Sequence, residues 1–114
     1  MSRPDLSVRL GSLALPNPIL TASGTFGYGL EFAHLADLDK LGGIVTKGLS
    51  LEPLKGNPPP RIGETRGGVL NSIGLQNIGI ERFLADVLPG LERYPARVMV
   101  NLFGYELDDY ARLA

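Results

Sequence analysis

The sequence predicts an α/β protein with parallel strands, and three observations support this fold class. Short apolar segments at 18–24, 43–48 and 97–104 have the composition of buried strands. Segments 29–42 and 77–91 carry apolar residues at helical spacing, and they lie between those strands. Alternation of strands and helices implies parallel strands with crossover helices, in a doubly wound sheet or a (β/α)8 barrel.

The composition excludes several functional classes. The 114 residues carry a formal charge of −1, 44% are hydrophobic and 20% are charged, which is ordinary for one modest globular core. We therefore expect no nucleic-acid partner, which would require a basic patch. No apolar window reaches the roughly 18 residues of a membrane span, and the start lacks a signal-peptide core, so we expect a cytoplasmic protein without a membrane partner. With no cysteine and only His34, we expect no metal site.

The first half of the chain divides into four predicted elements. Residues 6–15 alternate apolar and polar around Gly11-Ser12, which predicts a short β-hairpin. Pro16 and Pro18 break the hairpin, and a strand is predicted over 18–24. A helix is predicted over 29–42, with Gly42 as its C-terminal stop, and a second strand over 43–48.

The second half begins with a proline- and glycine-rich connection, 51–70. A second helix is predicted to begin near Asn77, which can cap it, and Pro89 should kink or end that helix. A third strand is predicted over 97–104, and a third helix from residue 106 with acids in its first turn. Three such units fall short of the roughly 250 residues of a full barrel. We therefore expect residues 1–114 to be a single partial domain, the N-terminal portion of something larger.

Each predicted strand ends in a polar residue close to a glycine: Ser23, Lys47 and Asn101. Ligands of parallel α/β folds bind at the carboxyl ends of the strands, so we expect these three side chains to share one site. An ammonium at the end of a buried strand is costly without an anion, which makes Lys47 the most informative of them. Taken singly, each has another interpretation: a solvated lysine, a serine in a tight turn, an asparagine that caps a helix.

The stretch "GGVLNSIGLQNIGIERF", 67–83, places polar side chains among glycines on the same predicted face of the sheet: Asn71, Ser72, Gln76 and Asn77. An asparagine in a glycine-rich turn often serves only the backbone. The coincidence with the three strand ends favours a binding loop.

Four long motifs resemble the dihydroorotate dehydrogenase family: "PILTASGTFGYG", "GGIVTKGLSLEPLKGNPPPRIGET", "GVLNSIGLQNIGIERF" and "VNLFG". The likeness covers 6–114 in order and spacing, and the "ET…LNSIGLQN" form is most similar to class 1B, the NAD-dependent type. The resemblance implies the N-terminal part of a TIM (β/α)8 barrel preceded by a short β-hairpin. It also implies FMN-dependent oxidation of dihydroorotate to orotate in pyrimidine (UMP) biosynthesis, with NAD+ as the final acceptor.

The resemblance further implies site residues. Ser23, Lys47, Gly48 and Asn101 would bind FMN. Dihydroorotate would be held by Lys47 and by the loop residues Asn71, Ser72, Ile73, Gly74 and Leu75. An amide suits a pyrimidine ring because it both donates and accepts hydrogen bonds, and a cation beside the flavin favours its anionic reduced form.

The family's catalytic base is a cysteine, expected beyond residue 114, so the segment itself carries no catalytic residue and we expect it to be inactive alone. The resemblance implies a homodimer and an electron-transfer subunit that holds FAD and an iron–sulfur cluster. Two other interpretations remain at this point: a non-catalytic remnant that acts as an interaction module, and another FMN-dependent pyrimidine-binding barrel such as the related domain of dihydropyrimidine dehydrogenase.

Overall fold

A computed structural model describes residues 4–114, which form a mixed α/β arrangement with three two-stranded sheets. Strands β1 (Val8–Leu10) and β2 (Leu13–Leu15) form the predicted N-terminal hairpin, with Val8 opposite Leu15. Strands β3 (Gly43–Val45) and β6 (Arg97–Met99) pair in parallel, with Ile44 opposite Val98. Strands β4 (Ile62–Thr65) and β5 (Gly68–Asn71) form a second antiparallel hairpin.

The parallel pair is part of a larger parallel arrangement. Leu20 forms a parallel bridge with Gly43 on one side of β3, and Leu49 forms another with Leu102 beyond the end of β6. The segment at Leu20, β3 and β6 therefore lie side by side in sequence order. Their carboxyl ends meet at one edge, where loop residues converge.

Helical segments connect β3 to β6. The α-helix α1 (Ile80–Arg82) continues as a π-helical segment, Phe83–Val87, and then as α2 (Leu88–Leu91), which together make one crossover helix, 80–91. The last helix, α3 (Leu107–Leu113), begins after Glu106, whose backbone N–H and that of Tyr105 donate to the Asp109 carboxylate. The predicted acids in its first turn, Asp108 and Asp109, are present there. Among residues 4–114, no helix is long and apolar enough to cross a lipid bilayer.

The hydrophobic core lies between the parallel strands and the crossover helix. Phe83 and Leu91 of that helix and Ile44 of β3 have no exposed surface. The remaining buried members of this cluster are Tyr28, Leu38, Leu49 and Ala96. Burial of apolar side chains from both layers fixes the helix against the strands, which holds the carboxyl-terminal edge in place.

The predicted helix over 29–42 is wrong. Two short 3-10 turns, Leu30–Phe32 and Leu38–Lys40, replace it, because Asp37 between them takes an extended backbone (φ −78°, ψ 92°). Gly42 is not a helix stop either. A Cβ there would overlap the Asn17 carbonyl oxygen, so the role of Gly42 is to let two backbone segments pass closely.

The predicted strands are shorter than expected. Over 18–24 only the bridge at Leu20 forms, because the Thr21 hydroxyl, rather than a backbone carbonyl, accepts the N–H of Val45 at 3.0 Å. Strand β3 ends at Val45 because the Lys47 N–H turns away to donate to the Gly27 carbonyl at 2.7 Å. Strand β6 likewise covers only the first part of 97–104.

Three expectations for the second half of the chain need correction. The connection 51–70 contains β4 and the start of β5, joined by a turn at Arg66-Gly67 in which Gly67 has φ +85°. Asn77 is not the helix cap, since the N-cap is Gly79. Of the two effects expected of Pro89, a kink or an end, the end is not found, because the helix continues to Leu91. The π-helical segment comes directly before the final turn that holds this proline.

Candidate functional site

A cavity of about 860 Å³ opens at the carboxyl ends of the parallel strands, within the size range of cofactor and ligand sites. Its wall combines the strand-end residues, the loop after β5 and the segment after β6. The lining residues are Ser23, Gly24, Gly27, Lys47, Gly48, Asn57, Asn71, Ser72, Ile73, Gly74, Leu75, Gln76, Asn101, Phe103, Gly104 and Tyr105.

The strand ends are tied to one another. Asn101 donates from Nδ2 to Oγ of Ser23 over 3.3 Å, and its backbone N–H donates to Oγ1 of the buried Thr46 at 3.3 Å. The Asn101 carbonyl in turn accepts the N–H of Leu49 at 2.9 Å. These bonds fix the amide at the rim because Asn101 is held through its backbone on both sides.

Gly48 lies beside this amide where a side chain has little room. A Cβ at Gly48 would lie 3.2 Å from the Phe103 ring and 3.6 Å from Nδ2 of Asn101. Phe103 itself packs edge-to-face on Tyr105, with ring centroids 6.2 Å apart, and both rings line the cavity. The cavity thus has one aromatic wall and one polar wall.

Lys47 supplies the positive charge of the site. Its side chain is half-buried, and the ion pairs among residues 4–114, Lys40–Asp37 and Arg82–Asp86, do not include it. A half-buried ammonium without a carboxylate partner favours an anionic ligand. Lys47 lines the same cavity as Ser23 and Asn101, the other two strand-end residues.

The loop after β5 is held by Asn57, which also lines the cavity. Its Nδ2 donates to Oγ of Ser72 at 2.7 Å and to the Ser72 carbonyl at 3.0 Å, and its backbone N–H donates to the Ile73 carbonyl at 3.0 Å. Gly74, at φ +75°, passes so close that a Cβ would lie 2.8 Å from the Asn57 backbone nitrogen. The glycine is therefore required by both its backbone angle and the contact.

The matched family model supplies the assignment of this chain. Residues 5–114 match the model described as "Dihydroorotate dehydrogenase". The chain belongs to the dihydroorotate dehydrogenase family. It is 58% identical over 111 residues to a protein of Thermodesulfovibrio yellowstonii and 56% identical over 114 residues to one of Geotalea daltonii. Both relatives are named "Dihydroorotate dehydrogenase B (NAD(+)), catalytic subunit".

These alignments cover 97% and 100% of this chain but 37% of each relative, so the chain spans little more than a third of their length. A Pelobacter propionicus protein with the same name is 58% identical over 112 residues, again 37% of its length.

All nine residues that the resemblance to dihydroorotate dehydrogenase implied line the cavity of about 860 Å³: Ser23, Lys47, Gly48, Asn71, Ser72, Ile73, Gly74, Leu75 and Asn101. Their individual roles toward cofactor and substrate remain predictions. Asn77, which the loop pattern grouped with them, is buried and does not line this cavity.

Sequence reasoning missed other residues of the wall, among them Asn57, Phe103 and Tyr105. The aromatic pair had a visible signal, because Phe103 and Tyr105 lie two and four residues after Asn101, at the end of a predicted strand. Asn57 had no such signal, because nothing in "GNPPPR" indicates that its side-chain amide donates to Ser72, 15 residues later in the chain.

A second, smaller cavity of about 450 Å³ adjoins the first, and Lys47 and Gln76 line both. Tyr28 borders it and accepts the N–H of Ile78 on its hydroxyl at 3.2 Å. Burial raises the pKa of the Tyr28 hydroxyl above its ordinary value, against the opposing effect of that hydrogen bond. Tyr28 packs on Phe83 with ring centroids 5.8 Å apart, so it joins the cavity edge to the core.

Proposed function

We propose that the protein containing this chain oxidises dihydroorotate to orotate in de novo pyrimidine biosynthesis, with FMN as cofactor and NAD+ as final acceptor. Membership of the family supports the reaction, and the names of the relatives support the NAD-dependent type. The observation that carries the proposal is the meeting of all nine expected residues in one cavity of about 860 Å³.

The fold we propose is the first part of a (β/α)8 barrel, with residues 1–114 as a single partial domain. Support comes from the parallel neighbours Leu20, β3 and β6, which follow one another in sequence order without a reversal. Large apolar side chains also remain exposed, among them Leu20 at 38% and Val100 at 36%. Further barrel strands would cover such surfaces.

The residues present fit FMN. The Ser23 hydroxyl, the Lys47 ammonium and the Asn101 amide offer donors that suit the carbonyl oxygens and ring nitrogens of a flavin. A Cβ at Gly24 would meet nothing within 4 Å, so this glycine leaves free space at the cavity wall. We assign the cofactor to Ser23, Lys47, Gly48 and Asn101; when bound, it supplies the hydride acceptor.

We assign the substrate to the space between Lys47 and the loop residues 71–75. The Lys47 ammonium would bind the carboxylate of dihydroorotate, and the Asn71 amide would donate to and accept from the pyrimidine ring. The backbone of 72–75 would orient the ring, because Gly74 allows close approach. The chain has no cysteine, and we place the proton-accepting cysteine of the reaction in the longer protein beyond residue 114.

The remaining components of this proposal concern partners. We propose a homodimer and an electron-transfer subunit that carries FAD and an iron–sulfur cluster, with the whole complex cytoplasmic. The words "catalytic subunit" in the relatives' names support a second kind of subunit.

A chimera tests the reaction. It joins this chain to the part of the Geotalea daltonii relative outside the aligned region, which is possible because the alignment covers all 114 residues. We expect the chimera to form orotate from dihydroorotate with a dye as acceptor, and the 114-residue chain alone to show no steady turnover. In the chimera, Asn71→Ala should abolish orotate binding, whereas Asn17→Ala, outside the cavity, should not. A chimera that retains FMN but neither binds orotate nor forms it would contradict the proposal.

A further inference from the structure

Asn77 is a buried amide directly behind the proposed substrate loop, with 5% of its surface exposed. Its Nδ2 donates to the Leu75 carbonyl at 3.0 Å and to Oγ of Ser50 at 2.9 Å. Its Oδ1 accepts the backbone N–H of Gly79 at 2.8 Å and that of Ser50 at 3.3 Å. Both donors and both acceptor positions of the amide are therefore used inside the protein.

The residue that Asn77 holds has an unfavourable backbone conformation. Leu75 has φ +55° and is the one residue other than glycine with positive φ among residues 4–114. A left-handed conformation is disfavoured for a residue with a Cβ. The Leu75 side chain is 57% exposed, so packing contributes little to holding it, and the hydrogen bond from Asn77 to its carbonyl is the contact that does.

The other end of the Asn77 network lies on the segment that follows β3 and carries Lys47. Ser50 is 5% exposed, its hydroxyl donates to the Glu52 carbonyl at 2.7 Å, and its own carbonyl accepts the N–H of Ile80 at 2.9 Å. Ser50 follows Leu49, which is fully buried and bridged to Leu102. Asn77 thereby joins the loop to a rigid part of the parallel sheet, three residues from Lys47.

We propose that Asn77 is a positioning residue for substrate. It keeps Leu75 left-handed, and so keeps the 71–75 backbone at a fixed distance from Lys47 on the opposite wall. This inference rests on the function proposed above. Asn77 itself does not line the large cavity, and it borders the smaller cavity that shares Lys47 and Gln76 with it.

The test is a double-mutant cycle in the chimera, with orotate and FMN affinities measured separately. We expect Asn77→Ala to weaken orotate binding at least about tenfold and to leave FMN affinity within about twofold. In a Leu75→Gly background the same substitution should cost less than about threefold, because glycine adopts positive φ without support. A residue that merely stabilises the fold would cost the same in both backgrounds and would lower both affinities.

Asn77→Asp provides a second variant if Asn77→Ala does not fold, because it keeps the shape and the acceptor for Gly79 while losing the donor to Leu75. It should reproduce the selective loss of orotate binding. Asn17→Ala is the matched control: it removes an amide that donates to the Lys40 carbonyl away from the cavity, and its orotate affinity should stay within about threefold of the unsubstituted chimera.

The outcomes separate the two proposals. If the unsubstituted chimera binds orotate and the cost of Asn77→Ala is equal with leucine or glycine at position 75, the positioning role is overturned and the proposed function stands. If the unsubstituted chimera retains FMN but binds no orotate, the proposed function fails and this inference fails with it.

Discussion

Nδ2 of Asn101 lies 3.3 Å from Oγ of Ser23 and donates a hydrogen bond to it across 78 residues of sequence. Asn101 follows β6 and Ser23 follows the bridge at Leu20, so the bond joins the strand ends on either side of β3. The site is therefore organised by the ends of three adjacent parallel segments, at Leu20, β3 and β6.

The first prediction concerns this pair. Asn101→Ala removes one donor to FMN and the partner of Ser23, so FMN affinity of the chimera should fall about tenfold, the value of one hydrogen bond of about 1.4 kcal/mol. Flavin fluorescence titration measures it. Asn17→Ala removes an amide that donates to the Lys40 carbonyl away from the cavity, and it should leave FMN affinity unchanged. Equal FMN affinity in Asn101→Ala and the parent would remove Asn101 from the cofactor site.

The second prediction concerns charge. Lys47→Met should weaken orotate binding about 10- to 100-fold, because a hydrogen bond to a charged group contributes about 1.5–3 kcal/mol. Isothermal titration of the chimera with orotate measures the loss. Lys40→Met removes an exposed lysine that pairs with Asp37 at 3.0 Å, and we expect no change in orotate affinity. A similar small effect from both substitutions would argue against an anion at Lys47.

The third prediction compares two glycines with positive φ. Gly74 (φ +75°) has the Asn57 backbone 2.8 Å from its missing Cβ, whereas Gly67 (φ +85°) has nothing within 4 Å. Gly67→Ala should cost about 1 kcal/mol of stability from backbone angle alone. Gly74→Ala should cost more and should weaken orotate binding at least about tenfold, because Asn57 and the loop must separate. Thermal melting and orotate titration of both variants test this difference. Equal effects would show that the contact with Asn57 is unimportant.

The fourth prediction tests the free space at Gly24. Gly24→Ala should leave the melting temperature nearly unchanged, since its Cβ meets no protein atom within 4 Å, but it should weaken FMN binding by intruding on the cavity. Gly63→Ala, on the exposed β4–β5 hairpin, also meets nothing within 4 Å and should change neither property. If Gly24→Ala retains FMN as well as Gly63→Ala does, the flavin does not occupy that side.

The fifth prediction concerns alkaline stability. Because burial raises the pKa of Tyr28, its neutral form is favoured in the folded state. The contribution of neutral Tyr28 to the stability of the fold is fully present below the unfolded pKa of about 10. It is lost as pH rises through the folded pKa, since the unfolded state then binds fewer protons. Between about pH 8 and pH 11 the melting temperature of the parent chimera should fall further than that of the Tyr28→Phe variant. Tyr105→Phe, 71% exposed, serves as control and should behave as the parent.

Sequence periodicity gave wrong predictions for elements whose backbone conformation depends on residues distant in the sequence. Leucines at helical spacing predicted a helix over 29–42, yet Leu35 is 75% exposed and Asp37 is extended. The hairpin β4–β5 was missed because all eight of its residues are exposed, so it shows no contrast between a buried and a solvent face.

By itself the sequence determined the α/β class, the N-terminal hairpin, the crossover helix and the identity of the strand-end residues, because these depend on local apolar patterning and on the position of polar residues after strands. Only the tertiary structure decided that Asn57 and Asn77 hold the loop. Asn57 reaches Ser72, 15 residues away, and Asn77, which holds Leu75 two residues away, is itself anchored to Ser50 27 residues away. No local pattern encodes the two long-range bonds. Asn77 has the same residue type and loop setting as Asn71, and burial alone separates the amide that supports the site from the one that faces it.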